Sequence, residues 1–165
     1  MAETPPEPLV ARSSMAETPP EPLEIRDFQG GGDPAALLPA RTLQNAPFFD
    51  GLLHGVLSVQ ACDACGRARW PIAPVCPHCR GRAFAWRSLR GAGTVHSWVG
   101  YRRAYLPEFE PLMPYEVLCV SLEGGPRMFG RLAGGGEPSI GMAVQAIVER
   151  FPGGACVPSF VAAAG

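Results

Sequence analysis

The sequence has no lysine, no excess charge of one sign and no long hydrophobic run. All 14 of its basic residues are arginine, and 15 acidic residues bring the formal net charge to -1. A balance this close to zero argues against a protein that coats nucleic acid, because such proteins neutralise phosphates with many cations. No stretch approaches the length of uninterrupted apolar residues that a membrane-spanning helix needs.

The chain is also too short for several enzyme scaffolds and lacks their motifs. At 165 residues it cannot form a barrel enzyme or a two-domain dehydrogenase. It has no G-x-S-x-G elbow, no H-E-x-x-H, no Walker loop and no dinucleotide-binding glycine fingerprint. Its 20 glycines and 19 prolines are typical of short strands joined by many turns. We therefore expect a mostly β protein.

The first 45 residues predict an arm rather than a folded unit. The nonapeptide MAETPPEPL occurs at residues 1–9 and again at 15–23, so residues 1–14 are interpreted as a cloning-derived segment that precedes the native start. Residues 15–45 are rich in proline and glycine and are predicted to be flexible. The sequence shows neither a positively charged leader nor an apolar signal segment, which predicts a cytoplasmic protein with reduced thiols.

An apolar segment begins the foldable part of the chain. In residues 46–57 the side chains of Phe48, Phe49 and Leu52 recur at helical spacing, which predicts a short amphipathic helix. We expect its aromatic face to pack within the same domain, with a partner-facing helix as the alternative. The alternation at residues 57–61 predicts a strand that leads into the first cysteine.

Four cysteines form two C-x2-C pairs separated by ten residues, and they are Cys62, Cys65, Cys76 and Cys79. Pairs this close can wrap four thiolates around one tetrahedral ion, and in a reducing compartment zinc is favoured over a disulfide framework. Gly66 and Gly81 follow the two pairs, where tight turns need a permissive backbone. Because four thiolates leave no open coordination position, the zinc is predicted to be structural, and His78 is not expected to be a ligand.

After the second pair, alternating segments are bounded by glycine and proline turns. They predict strands at residues 83–89, 94–101, 114–122, 127–132 and 142–151, with a closing candidate at 155–161. On the second strand Val95, Val99 and Tyr101 are expected on one face. The pattern predicts a five-stranded OB-fold barrel at residues 84–165, preceded by a helix and a rubredoxin-like zinc ribbon at 46–83, with a small sandwich as the alternative to the barrel.

The order of these motifs resembles a known family. The succession is the PFFDGL helix, C-x2-C-G, CPHC, the strand start GAGTVHSW, then PYEVLCVSLEGG and IGMAVQAIVERF. It is similar to the zinc-ribbon plus OB-fold proteins of the domain-of-unknown-function family thirty-five, over residues 46–160. Each motif alone is weak, and their order makes the resemblance specific.

The resemblance implies a non-catalytic subunit of a hetero-oligomer. Family members associate with thiolase-superfamily enzymes, either thiolases or thiolase-like aldolases, in the degradation of lipids or aromatic compounds. The catalytic residues would then belong to the partner, and this chain would support the binding of CoA or acyl-CoA during cleavage or formation of a carbon–carbon bond. A hotdog-fold enoyl-CoA hydratase is the alternative partner.

Between residues 60 and 105 one acid, Asp63, accompanies eight arginines, which are Arg67, Arg69, Arg80, Arg82, Arg87, Arg90, Arg102 and Arg103. The local balance is +7, or +5 once four thiolates and one zinc ion are included. Guanidinium groups match phosphate oxygens, so Arg102 and Arg103 are predicted to contact the phosphates of CoA. The alternative is that several of these arginines bind cysteine sulfurs or cover apolar surface.

Two functions of other classes stay open on the sequence. OB barrels bind single-stranded nucleic acid with basic grooves and stacking aromatics, and the candidates for such a groove are Arg82, Phe84, Trp86, Arg87, Trp98, Tyr101 and Arg102. A free-standing CoA-dependent enzyme would need a catalytic residue that the sequence does not reveal. Cys119 and Cys156 are expected to be buried, and His96 is expected at the surface.

Overall fold

The computed structural model describes residues 19–31 and 40–163, so the predicted cloning-derived segment lies outside the described residues. The fold is mostly β, as the sequence predicts. The elements are β1 (Ile25–Asp27), α1 (Ala46–Leu52), β2 (Leu57–Cys62), β3 (Ala68–Arg69), β4 (Phe84–Leu89), β5 (Ala92–Tyr101), a 3-10 helix (Pro107–Leu112), β6 (Tyr115–Leu122), β7 (Arg127–Arg131), β8 (Ala143–Arg150) and β9 (Cys156–Ala162).

The cysteine-rich region forms a three-stranded antiparallel sheet in the order β3-β2-β4. β4 pairs with β2 along its whole length, from Leu57 opposite Leu89 to Cys62 opposite Phe84. The strand predicted at residues 83–89 therefore forms, but its assignment to the barrel is wrong. β4 instead covers an edge of β2 that would otherwise expose unpaired backbone groups.

The strands β5 to β9 form the barrel. β6 pairs with β5 and β7, and β8 pairs with β5 and β9, all in antiparallel fashion. A parallel bridge between Leu132 and Phe160 joins the end of β7 to β9. The resulting cyclic order, β5-β6-β7-β9-β8, closes a five-stranded OB barrel and confirms the predicted fold class.

A β-bulge redirects the side chains of β5. The register against β6 shifts between Val95, which lies opposite Val120, and Ser97, which lies opposite Cys119. Val95 is buried inside the barrel, whereas Val99 is 51% exposed and shares the outer face with Tyr101. The expectation that Val95, Val99 and Tyr101 share one face is wrong, because the extra residue of a bulge reverses the alternation beyond it.

Helix α1 is shorter than the pattern predicts. It ends at Leu52, and the chain turns through Gly55, whose φ of 72° suits a residue without a side chain, before β2 begins. Phe48 is buried and packs on Trp70 with the ring centroids 4.2 Å apart. This contact confirms that the aromatic face of the helix packs within its own domain. Within the described residues, neither helix has the length and apolar character needed to cross a membrane.

One hydrophobic core connects the two sheets. Leu52 of α1 and Leu57 of β2 belong to the same buried cluster as Leu118, Val144 and Phe160 of the barrel. Burial of side chains of this size contributes about 1.5–3 kcal/mol each. The ribbon sheet and the barrel therefore stabilise each other across a shared interface.

Part of the predicted flexible arm has a fixed place on the barrel. β1 pairs in parallel with β8, with Ile25 opposite Val148, and Leu23 and Phe28 are only 7% and 8% exposed. The prediction of flexibility is wrong for residues 23–28. The barrel supplies the apolar surface and the strand edge that the composition of the arm by itself lacks.

Replacement of Gly130 tests the packing of the barrel. A β-carbon on Gly130 would come within 2.8 Å of Cε2 of Phe160, whose side chain is fully buried. Gly130→Ala is therefore expected to lower the free energy of unfolding by about 1–3 kcal/mol, measured by urea denaturation. Gly100→Ala is the control, since the nearest atom there is the flexible end of Arg102 at 3.5 Å. Equal losses in the two variants would contradict this packing argument.

Candidate functional site

The four cysteine sulfurs of the two pairs converge at one end of the ribbon sheet. The Sγ atoms of Cys62, Cys65, Cys76 and Cys79 all lie within 4.8 Å of one another. The sulfurs of Cys62 and Cys79 are 3.5 Å apart, and those of Cys65 and Cys76 are 3.8 Å apart. The structure thus brings together all four residues that the sequence predicted as ligands.

These distances fit a tetrahedral metal and not a disulfide. Zinc–sulfur bonds of about 2.3 Å place the sulfurs of a tetrahedron about 3.8 Å apart. A disulfide would need a separation of about 2.05 Å. All four cysteines are free thiols in the structure, so the alternative of a disulfide framework is not realised here. Four sulfur donors fill a tetrahedral shell, which makes the centre structural rather than catalytic.

Backbone amides favour the charged form of two of these sulfurs. The N–H groups of Cys79 and His78 lower the pKa of Cys76 to about 6, and the N–H of Cys65 is the main cause that lowers the pKa of Cys62. For Cys79 the Gly81 N–H favours the thiolate, but the neighbouring thiols outweigh it and raise its pKa to about 12. A divalent cation removes this conflict, because it allows four thiolates to lie together.

The two cysteine pairs are built alike, with one difference from the sequence expectation. In each pair, the N–H of the residue that follows the second cysteine donates to the carbonyl of the first cysteine. Gly66 donates to Cys62 at 2.7 Å, and Arg80 donates to Cys76 at 2.9 Å. Gly66 has a φ of 70°, but in the second pair Arg80, and not Gly81, adopts the left-handed backbone with a φ of 63°. The role expected for Gly81 is therefore wrong.

Gly81 instead makes room for the sulfurs. A β-carbon at Gly81 would lie 3.3 Å from the Sγ atoms of both Cys62 and Cys79, which is tighter than ordinary van der Waals contact. Its carbonyl also accepts a hydrogen bond from the N–H of Cys76 at 2.8 Å. The sequence correctly indicated that a glycine is needed two residues after CPHC. The reason is the space beside the sulfurs and not a left-handed backbone.

A buried polar network that the sequence analysis missed fixes the spacer between the cysteine pairs. The Gln60 Oε1 accepts hydrogen bonds from Arg69 Nε at 2.8 Å and from the N–H of Ala73 at 3.0 Å. The Arg69 guanidinium also donates to the Ala73 carbonyl and lies over the ring of Phe84. Gln60 and Arg69 are almost fully buried. The network satisfies Gln60 Oε1 and both backbone groups of Ala73, whereas Arg69 Nη1 is buried without a hydrogen-bond partner among the described residues. No local pattern in the sequence links Gln60 to Arg69, which lies nine residues further along the chain.

The predicted arginine patch is dispersed. Arg69 is buried in the ribbon, Arg67 lies 3.1 Å from Nδ1 of His78, and Arg87 donates to the carbonyl of Gly124. These contacts support the alternative in which part of the set has structural roles. Arg102 and Arg103 stay together and line an open cleft of about 490 Å³ with Tyr105, which is 75% exposed.

The other residues singled out from the sequence have ordinary environments. Cys119 and Cys156 are buried, as expected, and burial raises the pKa of the Cys156 thiol. His96 is exposed, as expected. The stacking residues proposed for nucleic acid do not converge: Phe84 and Trp86 lie on β4 of the ribbon sheet, and the positions of Trp98 and Tyr101 on β5 place them on opposite faces of that strand.

The fold and the four-sulfur centre define a zinc-ribbon protein with an OB-fold domain. Residues 49–85 match the ChsH2 rubredoxin-like zinc ribbon domain, and residues 86–149 match the ChsH2 C-terminal OB-fold domain. A solved chain described as Ltp2-ChsH2(DUF35) aldolase is 32% identical, with a TM-score of 0.69; the match covers 77% of this chain and 100% of that one. This chain belongs to the ChsH2 family of DUF35 proteins.

Curated relatives carry more varied descriptions. A probable enoyl-CoA hydratase alpha subunit of Thermomonospora curvata is 34% identical over 67% of this chain and 34% of its own length. A 3-oxo-4,17-pregnadiene-20-carboxyl-CoA hydratase alpha subunit of Mycobacterium tuberculosis is 32% identical over 73% of this chain and 39% of its own length. A DUF35 domain-containing scaffold protein of Methanocaldococcus jannaschii is 32% identical over 54% of this chain and 65% of its own length. The chain thus spans about a third of the two hydratase subunits.

Removal of zinc is expected to unfold the ribbon while part of the barrel persists, because metal-binding free energy is folding free energy for a sheet this small. Trp70 and Trp86 lie in the ribbon and Trp98 in the barrel. A variant that keeps only Trp98 and one that keeps only Trp86 would report the two regions separately by fluorescence after chelation. Cys76→Ser should lose the metal, and Cys156→Ser should retain one zinc per chain. Unchanged Trp86 emission in a chain proven metal-free would contradict this expectation.

Proposed function

We propose that this chain is an accessory subunit that associates with an acyl-CoA-processing enzyme of the thiolase superfamily and does not itself supply the catalytic residues. The observation that carries the proposal is the likeness to the Ltp2-ChsH2(DUF35) aldolase chain, which this chain covers in full at 32% identity. The closed four-sulfur centre supports it, because a metal with a full protein shell has no position for substrate. We also propose a cytoplasmic location, where thiols stay reduced and are available to zinc.

We include CoA in this proposal on the basis of the cleft lined by Arg102 and Arg103. Among the described residues, Arg102 makes a long contact of 3.4 Å to the largely buried Glu116, and Arg103 lies over the Tyr105 ring at 6.0 Å. The Arg102 side chain is itself 70% exposed, so its remaining donors, like those of Arg103, can reach phosphate oxygens. Glu110 also lines the cleft, and its negative charge disfavours an anion on that side.

A hotdog-fold hydratase is the second candidate partner. It is favoured by the names of two relatives, both hydratase alpha subunits and both more than 30% identical to this chain. Since this chain spans about a third of each, the likeness concerns the shared ribbon and barrel region. With an aldolase or with a hydratase as the partner, the same accessory domain would lie beside an active site that catalyses a different reaction.

Affinity purification of the tagged chain from its own host would test the proposal. A thiolase-fold protein recovered at equal stoichiometry is the expected result, and a hotdog-fold hydratase would select the second candidate. Recovery of nucleic acid whose binding to the chain weakens steeply with salt, or turnover of acyl-CoA by the isolated zinc-loaded chain, would contradict an accessory role. The absence of any stoichiometric partner would count against it as well.

The CoA contact makes a prediction of its own. In the reconstituted complex, the double variant Arg102→Ala, Arg103→Ala is expected to weaken CoA binding about ten- to a hundredfold, since each charge-assisted hydrogen bond contributes roughly 1.5–3 kcal/mol before losses to solvent. Titration calorimetry would measure the change. The matched control, Arg90→Ala with Arg127→Ala, removes two other exposed arginines and should leave the affinity unaltered. Equal affinities in the two double variants would exclude this cleft.

A further inference from the structure

The barrel carries a second cavity, separate from the zinc centre and from the arginine cleft. Its volume is about 360 Å³, within the range of small-molecule pockets. It lies on the outer face of β6 and β7, between the β5–β6 and β8–β9 connections. In an OB barrel this is the face on which ligands bind. Six aromatic side chains line it, which are Phe28, Tyr101, Phe109, Tyr115, Phe129 and Phe151.

The aromatic walls are ordered against each other. Tyr101 and Tyr115 stack face to face, with ring centroids 4.9 Å apart and planes 8° from parallel. Phe109 packs on Tyr115 at 5.4 Å, and Phe129 stands at the rim with 66% of its surface exposed. Burial raises the pKa of Tyr115, so the phenol of this residue is uncharged at neutral pH. An exposed phenylalanine beside a stacked pair offers flat surface to a second flat group.

The polar floor of the pocket carries no net charge. Arg131 donates two hydrogen bonds to Glu149, and Ser159 donates a third through Oγ. Glu149 is 3% exposed, and the Arg131 side chain is only 14% exposed. Because the two charges compensate each other inside the protein, a charged ligand would find no free counter-ion there. The floor therefore favours an uncharged ligand.

The N-terminal segment closes one end of this face. Phe28 inserts between Phe109 of the β5–β6 connection and Phe151 of the β8–β9 connection, at 5.6 and 4.4 Å. The N–H of Gly31 donates to the carbonyl of Glu108 at 2.8 Å, which ties the segment to the 3-10 helix. The segment thus bridges the two connections that flank an OB groove.

We propose that this pocket binds a flat, uncharged ring system, held by the Tyr101–Tyr115 pair and the rim residue Phe129. The ring could belong to the purine base of a nucleotide or to a fused hydrocarbon, and the two share the chemistry that the walls recognise. The site belongs to the chain alone. This proposal can therefore be tested on the chain alone, separately from the partner enzyme and from the arginine cleft.

Calorimetric titration of the full zinc-loaded chain with adenosine and with 2-naphthol tests the pocket. Saturable binding of one molecule per chain is expected for at least one probe, and preference for one of them distinguishes the base from the hydrocarbon ring. Phe129→Ala is expected to weaken binding about tenfold through the loss of one aromatic contact. Ile140→Ala is the matched control, because Ile140 is also 66% exposed and does not line the pocket.

A second variant fills the pocket instead of removing a wall. Val117 lies half-buried on β6 and faces the cavity, so Val117→Trp is expected to abolish binding, while an unchanged urea midpoint would show that the fold is intact. Undetectable binding of both probes to the unaltered chain would overturn the proposal. So would equal affinities in the Phe129 and Ile140 variants, or full binding by a folded Val117→Trp variant.

Discussion

The four-sulfur cluster is the constraint on which the ribbon half of the molecule depends. It joins the end of β2, at Cys62, to a turn that starts at Cys76, across a spacer whose own strand, β3, has only two residues. A sheet this small cannot bury enough apolar surface to be stable alone. Zinc supplies the missing free energy, and the Gln60–Arg69 network fixes the spacer through hydrogen bonds to both backbone groups of Ala73. With the spacer in place, Trp70 packs on Phe48 and α1 is held against the shared core.

The barrel is organised around β5, the longest strand. Its first residues pair with β8, and Gly93 to Tyr101 follow β6 apart from the bulge, so one strand closes the barrel and also extends beyond it. The bulge after Val95 turns Val99 and Tyr101 to the outer surface. That reversal supplies Tyr101 to the aromatic pocket, and the end of the same strand delivers Arg102 and Arg103 to the neighbouring cleft. The bulge therefore lets one strand place Val95 in the interior and supply residues near its end to two solvent-facing cavities.

Metal and ligand surfaces occupy different parts of the chain. The zinc centre has a complete shell of sulfurs and lies at the far end of β2, whereas both cavities are formed by the barrel and its connections. In the functions that we propose, the metal stabilises the fold and the barrel binds the ligands. It agrees with a protein whose relatives are described as subunits or scaffolds, because such a protein needs a stable shape and exposed binding surfaces more than a reactive centre.

Features that depend on local chemistry were predictable from the amino-acid sequence. Two C-x2-C pairs can hold one ion only by coming together, and alternation between glycine turns favours strands, so the zinc ligands and the barrel strands were predictable. The partner of each strand and the face of each side chain depend on contacts between distant parts of the chain. Pairing of β4 with β2, docking of Leu23 and Phe28, and the reversal after Val95 all depend on surfaces distant in sequence. Local periodicity contains no information about such surfaces, because the free energy that selects them arises only when the two sheets bury a common core.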